Sequence, residues 1–212
     1  GKVFGALLTD LSKAFDCLSH ELLIAKLDAY GFSSSALKLI HSYLSDRKQR
    51  TKLNASYSSW HDILSGVPQG SILGPLLFNI FLCDLFLMVE NTDFASYADD
   101  NTPYTTGVNN EKVITKLEKE TSSLFKWFSD NMMKANPDKC HLLLNRDCEL
   151  DIKVGNMSIE NSKYEKLLGI EIDNKLNFNM HIVYLCKKAS RKMHALARVT
   201  PFMNLPKKNA FL

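Results

Sequence analysis

Leu8-Thr9-Asp10-Leu11-Ser12-Lys13-Ala14-Phe15-Asp16, Gly66-Val67-Pro68-Gln69-Gly70-Ser71 and Tyr97-Ala98-Asp99-Asp100 are three short stretches whose chemistry makes sense only jointly. The apolar run Val3 to Leu8 is short and ends at Asp10, so it reads as a buried strand delivering a carboxylate to a sheet edge. Phe94 to Ala98 is a second such run, Asp99-Asp100-Asn101 is turn chemistry, and Thr102 to Thr105 reads as the returning hairpin arm. The middle stretch is a Gly/Pro-rich turn that feeds a long apolar helix.

Adjacent carboxylates at a turn repel, and the cost is relieved when a cation sits between them and a third acid. Oxygen-only ligands favour a hard ion, Mg²⁺ or Mn²⁺, over zinc. A solvated Asp-Asp-Asn turn is the plain alternative for that segment taken alone.

The order and context of the three segments resemble the palm of reverse transcriptases, most closely those of non-LTR retrotransposons. Asp10 to Asp16 resembles the first palm motif, Ser65 to Phe78 the second, and Tyr97-Ala98-Asp99-Asp100 the third. Trp127 to Leu144, with Asn136-Pro137-Asp138-Lys139-Cys140, resembles the fourth, and Leu167 to Asp173 the fifth, the primer grip. The implied fold is α+β, a polymerase palm of antiparallel sheet backed by helices. The palm spans 1–173 with a fingers-like insertion at about 31–64, and the start of a helical thumb spans 174–212.

The resemblance implies that Asp10, Asp99 and Asp100, with the backbone carbonyl of Leu11, bind two Mg²⁺ ions about 3.5–4 Å apart, Mn²⁺ being an alternative. The implied reaction adds deoxynucleotides to a primer 3′-OH with pyrophosphate leaving, so RNA template, DNA primer and deoxynucleoside triphosphates are the implied partners. Phe15 occupies the family's place for a ring under the sugar, where it would exclude a 2′-hydroxyl; core packing is the alternative. Gln69 and Gly70 are implied to support the template base and incoming nucleotide. Lys139 is implied as a proton donor to pyrophosphate, or is an ordinary turn lysine. Asp16 reads as a capping or ion-pairing acid at least as well as a metal contact. Leu168 and Gly169 of the primer grip, and Lys187, Lys188, Arg191 and Lys192 of the thumb, are implied to contact nucleic acid.

Charge distribution agrees. Residues 1–106 carry 8 basic and 11 acidic side chains, residues 107–212 carry 18 and 12, and no acid follows Asp173. Ile182, Leu185, Ala189, Met193 and Leu196 form an apolar stripe there, which leaves a cationic face suited to phosphate or simply to water. Arg47-Lys48-Gln49-Arg50 is a second basic cluster, or a hairpin's polar face. The five cysteines show no C-x-x-C spacing, and the six histidines form no ligand set, which argues against zinc and a disulfide framework. Ile72 to Val89 has the length of a membrane span, but Asp84, Gly74-Pro75 and the missing basic flanks favour a buried helix under the sheet, with no membrane partner.

Ser19 is read as capping a helix that stops at Gly31, Ser34 or Ser35 as opening another through Leu44, and Glu111 to Met133 as an amphipathic helix. Arg50 to Leu64, Lys139 to Asn145, Asp151 to Ile159 around Gly155-Asn156, and Lys166 to Ile172 read as strands. The family's fingers lie mostly before the first motif, so the chain reads as a fragment of a retrotransposon polyprotein or a decayed copy. An inactive RNA-binding relative and a group II intron maturase are the rival readings. The expected setting is intracellular, with cytoplasmic ribonucleoprotein assembly and nuclear integration.

Overall fold

A computed structural model describes residues 1–136, 139–146, 150–155 and 157–202. In chain order the strands and helices are β1 (Val3–Leu8), α1 (Ala14–Cys17), α2 (His20–Ala29), α3 (Ser34–Leu44), β2 (Lys48–Gln49), β3 (Lys52–Leu53), β4 (Ser56–Tyr57) and β5 (His61–Asp62). There follow α4 (Leu73–Leu82), a 3-10 segment Cys83–Met88, β6 (Asp93–Tyr97), β7 (Asp100–Gly107), α5 (Asn110–Asp130) and β8 (His141–Leu144). The last are β9 (Ile152–Val154), β10 (Met157–Ile159), β11 (Asn161–Ser162), β12 (Tyr164–Leu167), β13 (Ile170–Asp173) and α6 (Asn179–Val199). Pro137, Asp138 and Asn156 of the motifs above, one of the five cysteines (Cys148) and residues 203–212 of the expected thumb lie outside the described residues.

The strand that leads to Asp10, β1, is the centre of the sheet. The order is β11-β8-β1-β7-β6, antiparallel except where β11 joins β8 in parallel. The apolar composition of β1 follows from that position, since a central strand is covered on both faces. Val3 and Leu7 pack with Val113 and Leu117 of α5 and with Leu142 and Leu144 of β8. On the other side of α5, Leu124, Trp127 and Phe128 join Leu23 and Leu27 of α2 and Phe78 and Phe81 of α4 in a second core. The result is an α+β sheet backed by helices.

Local signals explain both ends of α2 and the start of α3. The Ser19 hydroxyl accepts from the Leu22 N–H, and the chain reverses at Gly31. The cap of α3 is Ser33, one residue ahead of the expected pair, accepting from the Ala36 N–H. The apolar stretch Ile72 to Val89 departs from expectation more strongly. It is a ten-residue α-helix followed by a 3-10 segment, with only one face buried; Ile72, Leu76 and Leu87 are exposed. The expected strand Lys166 to Ile172 is instead a hairpin, folded at Leu168-Gly169 with φ of 48° and 84°, the primed two-residue turn that antiparallel strands prefer.

Asp84, the single acid of that apolar stretch, has a specific counterpart. The Lys26 ammonium lies 2.6 Å from both Asp84 oxygens, donates to the Phe81 carbonyl at 3.1 Å and sits 4.6 Å from the ring centres of Phe81 and Trp127. Burial depresses the Lys26 pKa, and Asp84 opposes that shift. This group fastens α2 to α4 and α5. Lys26→Ala strands Asp84 and is expected to lower stability by roughly 2–4 kcal/mol, less than for a fully buried pair because Asp84 keeps contact with water. Urea unfolding should show that Lys26→Met with Asp84→Leu is more stable than the single variant; the reverse order would refute an ion-pair account.

Candidate active site

Continuing the β1–β7 register through the Thr9–Asn101 bridge sets Asp10 directly opposite Asp100. Buried Asn101 holds that alignment from three sides. Its carbonyl accepts from the Thr9 N–H at 3.1 Å and the Thr9 hydroxyl at 2.7 Å, its amide donates to the Asp99 carbonyl, and its side-chain oxygen accepts from Ser96. The sequence reading had Asn101 as a turn residue. The turn instead falls at Ala98-Asp99, with Ala98 at a left-handed φ of 55°, and Asp100 and Asn101 already belong to the return strand. Extending the Thr102 to Thr105 arm backwards would have been the signal for this position.

The far side of Asp10 is fixed by the chain leaving α5. The Ser12 N–H donates to Lys134, the Asn136 N–H donates to the Asp10 carbonyl, and Leu11 pairs with Ala135. In such a non-hydrogen-bonded pair the Leu11 N–H and carbonyl point away from the partner. The Leu11 carbonyl is therefore left over on the side away from Ala135, while its side chain is buried.

Asp10 and Asp100 line a hollow of about 220 Å³ together with Lys139, His141, Glu165, Lys166 and Leu167. The Lys139 ammonium lies 3.3 Å from Asp10 Oδ2. Burial raises the Asp100 pKa above 3.8, and the charges of Asp99 and Asp10 push the same way. Asp99 occupies the turn itself and does not line the hollow. Among the described residues no three acidic, His or Cys side chains are gathered closely enough to form a ready-made metal cage. The aspartates nevertheless fit a hard divalent ion, being oxygen donors that repel one another, with Lys139 as the cation paired to Asp10 and Lys166 elsewhere in the wall. The Cys140 thiol, its pKa raised by burial, donates to the Asn136 carbonyl.

The second motif clasps the first from the other end. The Gly66 N–H donates to Leu18 and the Val67 N–H to Phe15, while the Gly66 carbonyl lies 2.7 Å from His20 Nε2. A Cβ at Gly66 would stand 2.7 Å from Asp16 Cα, and its φ is 81°, so the approach requires glycine. Gln69 donates to the Asp16 carboxylate at 2.9 Å, which gives Asp16 a positioning role. Gly70 follows, exposed. Phe15 is half-buried and stacks on Phe78 with ring centres 4.3 Å apart. A cleft of about 620 Å³ opens beside this clasp, with Lys13, Arg47 and Gln69 in its wall.

The remaining predicted contacts are farther out. Leu168 and Gly169 form the exposed tip of the β12–β13 hairpin, whose strand β12 reaches the 220 Å³ hollow through Glu165, Lys166 and Leu167. Lys187, Lys188, Arg191 and Lys192 lie exposed on α6, and none lines either hollow. That helix joins the body at β13, where the Glu171 N–H donates to His181 Nδ1. No helix among the described residues is long and apolar enough to cross a membrane.

The family model "Reverse transcriptase (RNA-dependent DNA polymerase)" matches residues 3–178. A probable RNA-directed DNA polymerase from transposon BS of Drosophila melanogaster is 30% identical over 90% of this chain, which spans 22% of that relative. The RNA-directed DNA polymerase from mobile element jockey of the same organism is 29% identical over 84% of the chain, or 20% of its own length. Among solved structures, apo telomerase from Candida tropicalis superposes with a TM-score of 0.58 at 14% identity, covering 84% of this chain and 35% of that one, a likeness of fold.

The raised Asp100 pKa has a measurable sign. The unfolded chain loses this proton near 3.8 and the folded chain above it, so the group's stabilising contribution is complete below 3.8 and is lost as pH rises through the folded value. Asp100→Asn, which removes both the partly buried charge and the repulsion, is expected to raise the thermal midpoint at pH 7 in metal-free buffer. A lowered midpoint would show that the carboxylates are not in conflict.

Proposed function

The chain belongs to the reverse transcriptase (RNA-dependent DNA polymerase) family, and on that footing we propose that it forms the palm (1–173) and the start of the thumb (174–212) of a non-LTR retrotransposon's RNA-directed DNA polymerase. The observation that carries the reading is the alignment of Asp10 with Asp100 across β1 and β7, with Asp99 at the adjoining turn. Carboxylates in mutual conflict serve no purpose in a merely structural turn, and a divalent cation resolves the conflict.

In this proposal Asp10, Asp99 and Asp100, with the Leu11 carbonyl, hold two Mg²⁺ ions. Bound there, such ions lower the pKa of an attacking hydroxyl and stabilise the charge on a departing phosphate. Lys139, 3.3 Å from Asp10, balances part of the acidic charge and stands where it can give a proton to departing pyrophosphate. Phe15, seated on Phe78, fills the space below a nucleotide sugar at C2′. Gln69, tethered to Asp16, presents its amide toward the cleft that would receive the template base and incoming nucleotide.

The substrates in this reading are an RNA template, a DNA primer and deoxynucleoside triphosphates. The hairpin tip Leu168-Gly169 and the basic face of α6 bind the primer–template. The chain acts as one part of a retrotransposon polyprotein, consistent with its spanning about a fifth of the curated relatives it matches. Its setting is cytoplasmic ribonucleoprotein followed by nuclear integration.

The test is Mg²⁺-dependent extension of a DNA primer on an RNA template by the longest product of the gene that contains this chain. Asp99→Asn should lower extension roughly a thousandfold, the scale of losing several kcal/mol of transition-state stabilisation. RNA binding without extension in either form would instead favour a binding-only relative. In the same assay Phe15→Val should relax discrimination against ribonucleotides by roughly tenfold or more, and unchanged sugar selectivity would remove Phe15 from that role.

A further inference from the structure

Residues 48–62 leave the body as a hairpin in which every residue is exposed. Two short ladders hold it, Lys48↔Asp62 with Gln49↔His61 at the base and Lys52↔Tyr57 with Leu53↔Ser56 at the tip. Between them the Arg50 guanidinium lies 4.1 Å from the Tyr57 ring centre and 4.5 Å from that of Trp60, and the Lys52 ammonium is 5.3 Å from Tyr57. A two-stranded hairpin without a core is only marginally stable, so displaying a tryptophan that is 57% exposed has a cost that burial does not offset. The segment 47–62 carries Arg47, Lys48, Arg50 and Lys52 against the single acid Asp62.

The position of the hairpin gives this surface a use. Arg47, Gln49 and Asp62 at its base line the same 620 Å³ cleft as Lys13, Asp16 and Gln69. Arg50 follows Gln49 directly, so at about 3.3 Å per residue the aromatic and cationic cluster begins within one nucleotide's length of the cleft wall. Basic side chains that track a backbone, interleaved with aromatic and guanidinium planes, are the surface that unpaired bases stack on.

We propose that the Arg50–Tyr57–Trp60 cluster is a stacking platform for unpaired RNA template as it enters the cleft. The proposal rests on the polymerase reading above and adds to it a binding surface outside the palm motifs. One face of each ring is occupied by Arg50, and the exposed remainder of Trp60 takes a base. The phosphates are met by Arg47, Lys48 and Lys52, of which Lys48 is also paired with Asp62 at 3.4 Å.

The chain has two tryptophans, and Trp127 is only 4% exposed, so quenching of emission by added nucleic acid reports on Trp60. Titration of the 212-residue chain with a 12-nucleotide single-stranded RNA of mixed sequence should quench that emission. Trp60→Ala should weaken binding roughly tenfold, and Trp60→Phe should stay within about twofold of the native chain, with thermal midpoints unchanged in both. A blunt RNA duplex of the same length should show neither effect, and single-stranded DNA of the same sequence should bind more weakly. Single-stranded RNA that binds without quenching Trp60, and with equal affinity for Trp60→Ala, overturns the platform and leaves the polymerase reading standing. An equal loss on duplex, or a lowered midpoint that accounts for the loss, reduces the cluster to a staple for the hairpin and also overturns it. Equal affinity for DNA overturns the assignment to RNA template. Absence of any RNA binding by the native chain strikes the polymerase reading itself.

Discussion

The buried carbonyl of Asn101 receives two hydrogen bonds from Thr9, one from the backbone and one from the hydroxyl, while the Asn101 side chain ties together Ser96 and Asp99. A fully buried amide is tolerated only when its polar atoms are satisfied, and here the bonds to Thr9 and Asp99 also fix the chain at the carboxylates. Thr9 precedes Asp10, and Asp99 and Asp100 precede Asn101. A slip of one residue in this register would turn every side chain of β1 to the opposite face. The register that lets β1 pack on α5 is thus the same register that opposes Asp10 to Asp100. Core and site are not separable here.

The same logic holds at the other end of the first motif. Asp16 receives Gln69, and Gly66 lies against the Asp16 backbone so closely that no side chain fits. Two segments some fifty residues apart are joined by backbone hydrogen bonds rather than by side-chain packing alone. Phe15 shares in both arrangements, with its carbonyl held by Val67 and its ring by Phe78. Its position owes as much to α4 as to its own short helix, α1.

Much of this was legible in the residues themselves. The three acidic or glycine-rich segments, the caps at Ser19 and Gly31, and the apolar stripe of α5 all follow from local chemistry, because each signal and its consequence lie within one turn of helix or one hairpin. The errors share a cause. Ala98 and Leu168 adopt left-handed φ values that their side chains do not advertise, so one expected hairpin turn starts one residue late and runs two residues too far, and another is hidden inside an apparent strand. Asn101 was invisible as a bracket because its principal partner, Thr9, is 92 residues away. The exposed face of α4 was read as buried because hydropathy counts residues and not the neighbours available to cover them.

The central place of β1 also imposes an order of events during synthesis. The strand that leads to Asp10 is made before its partners, since Asn101 follows Thr9 by 92 residues and the Asn145 side chain, which receives the Phe4 N–H, follows by 141. At about 5–20 residues per second the nascent chain carries an unpaired, wholly apolar strand for on the order of ten seconds. Sheet closure must await β7 and β8, a high-contact-order step that slows folding and exposes the strand to mispairing. The arrangement that lets one strand serve both core and active site therefore makes the nascent chain dependent on whatever shields that strand until β7 and β8 have been made.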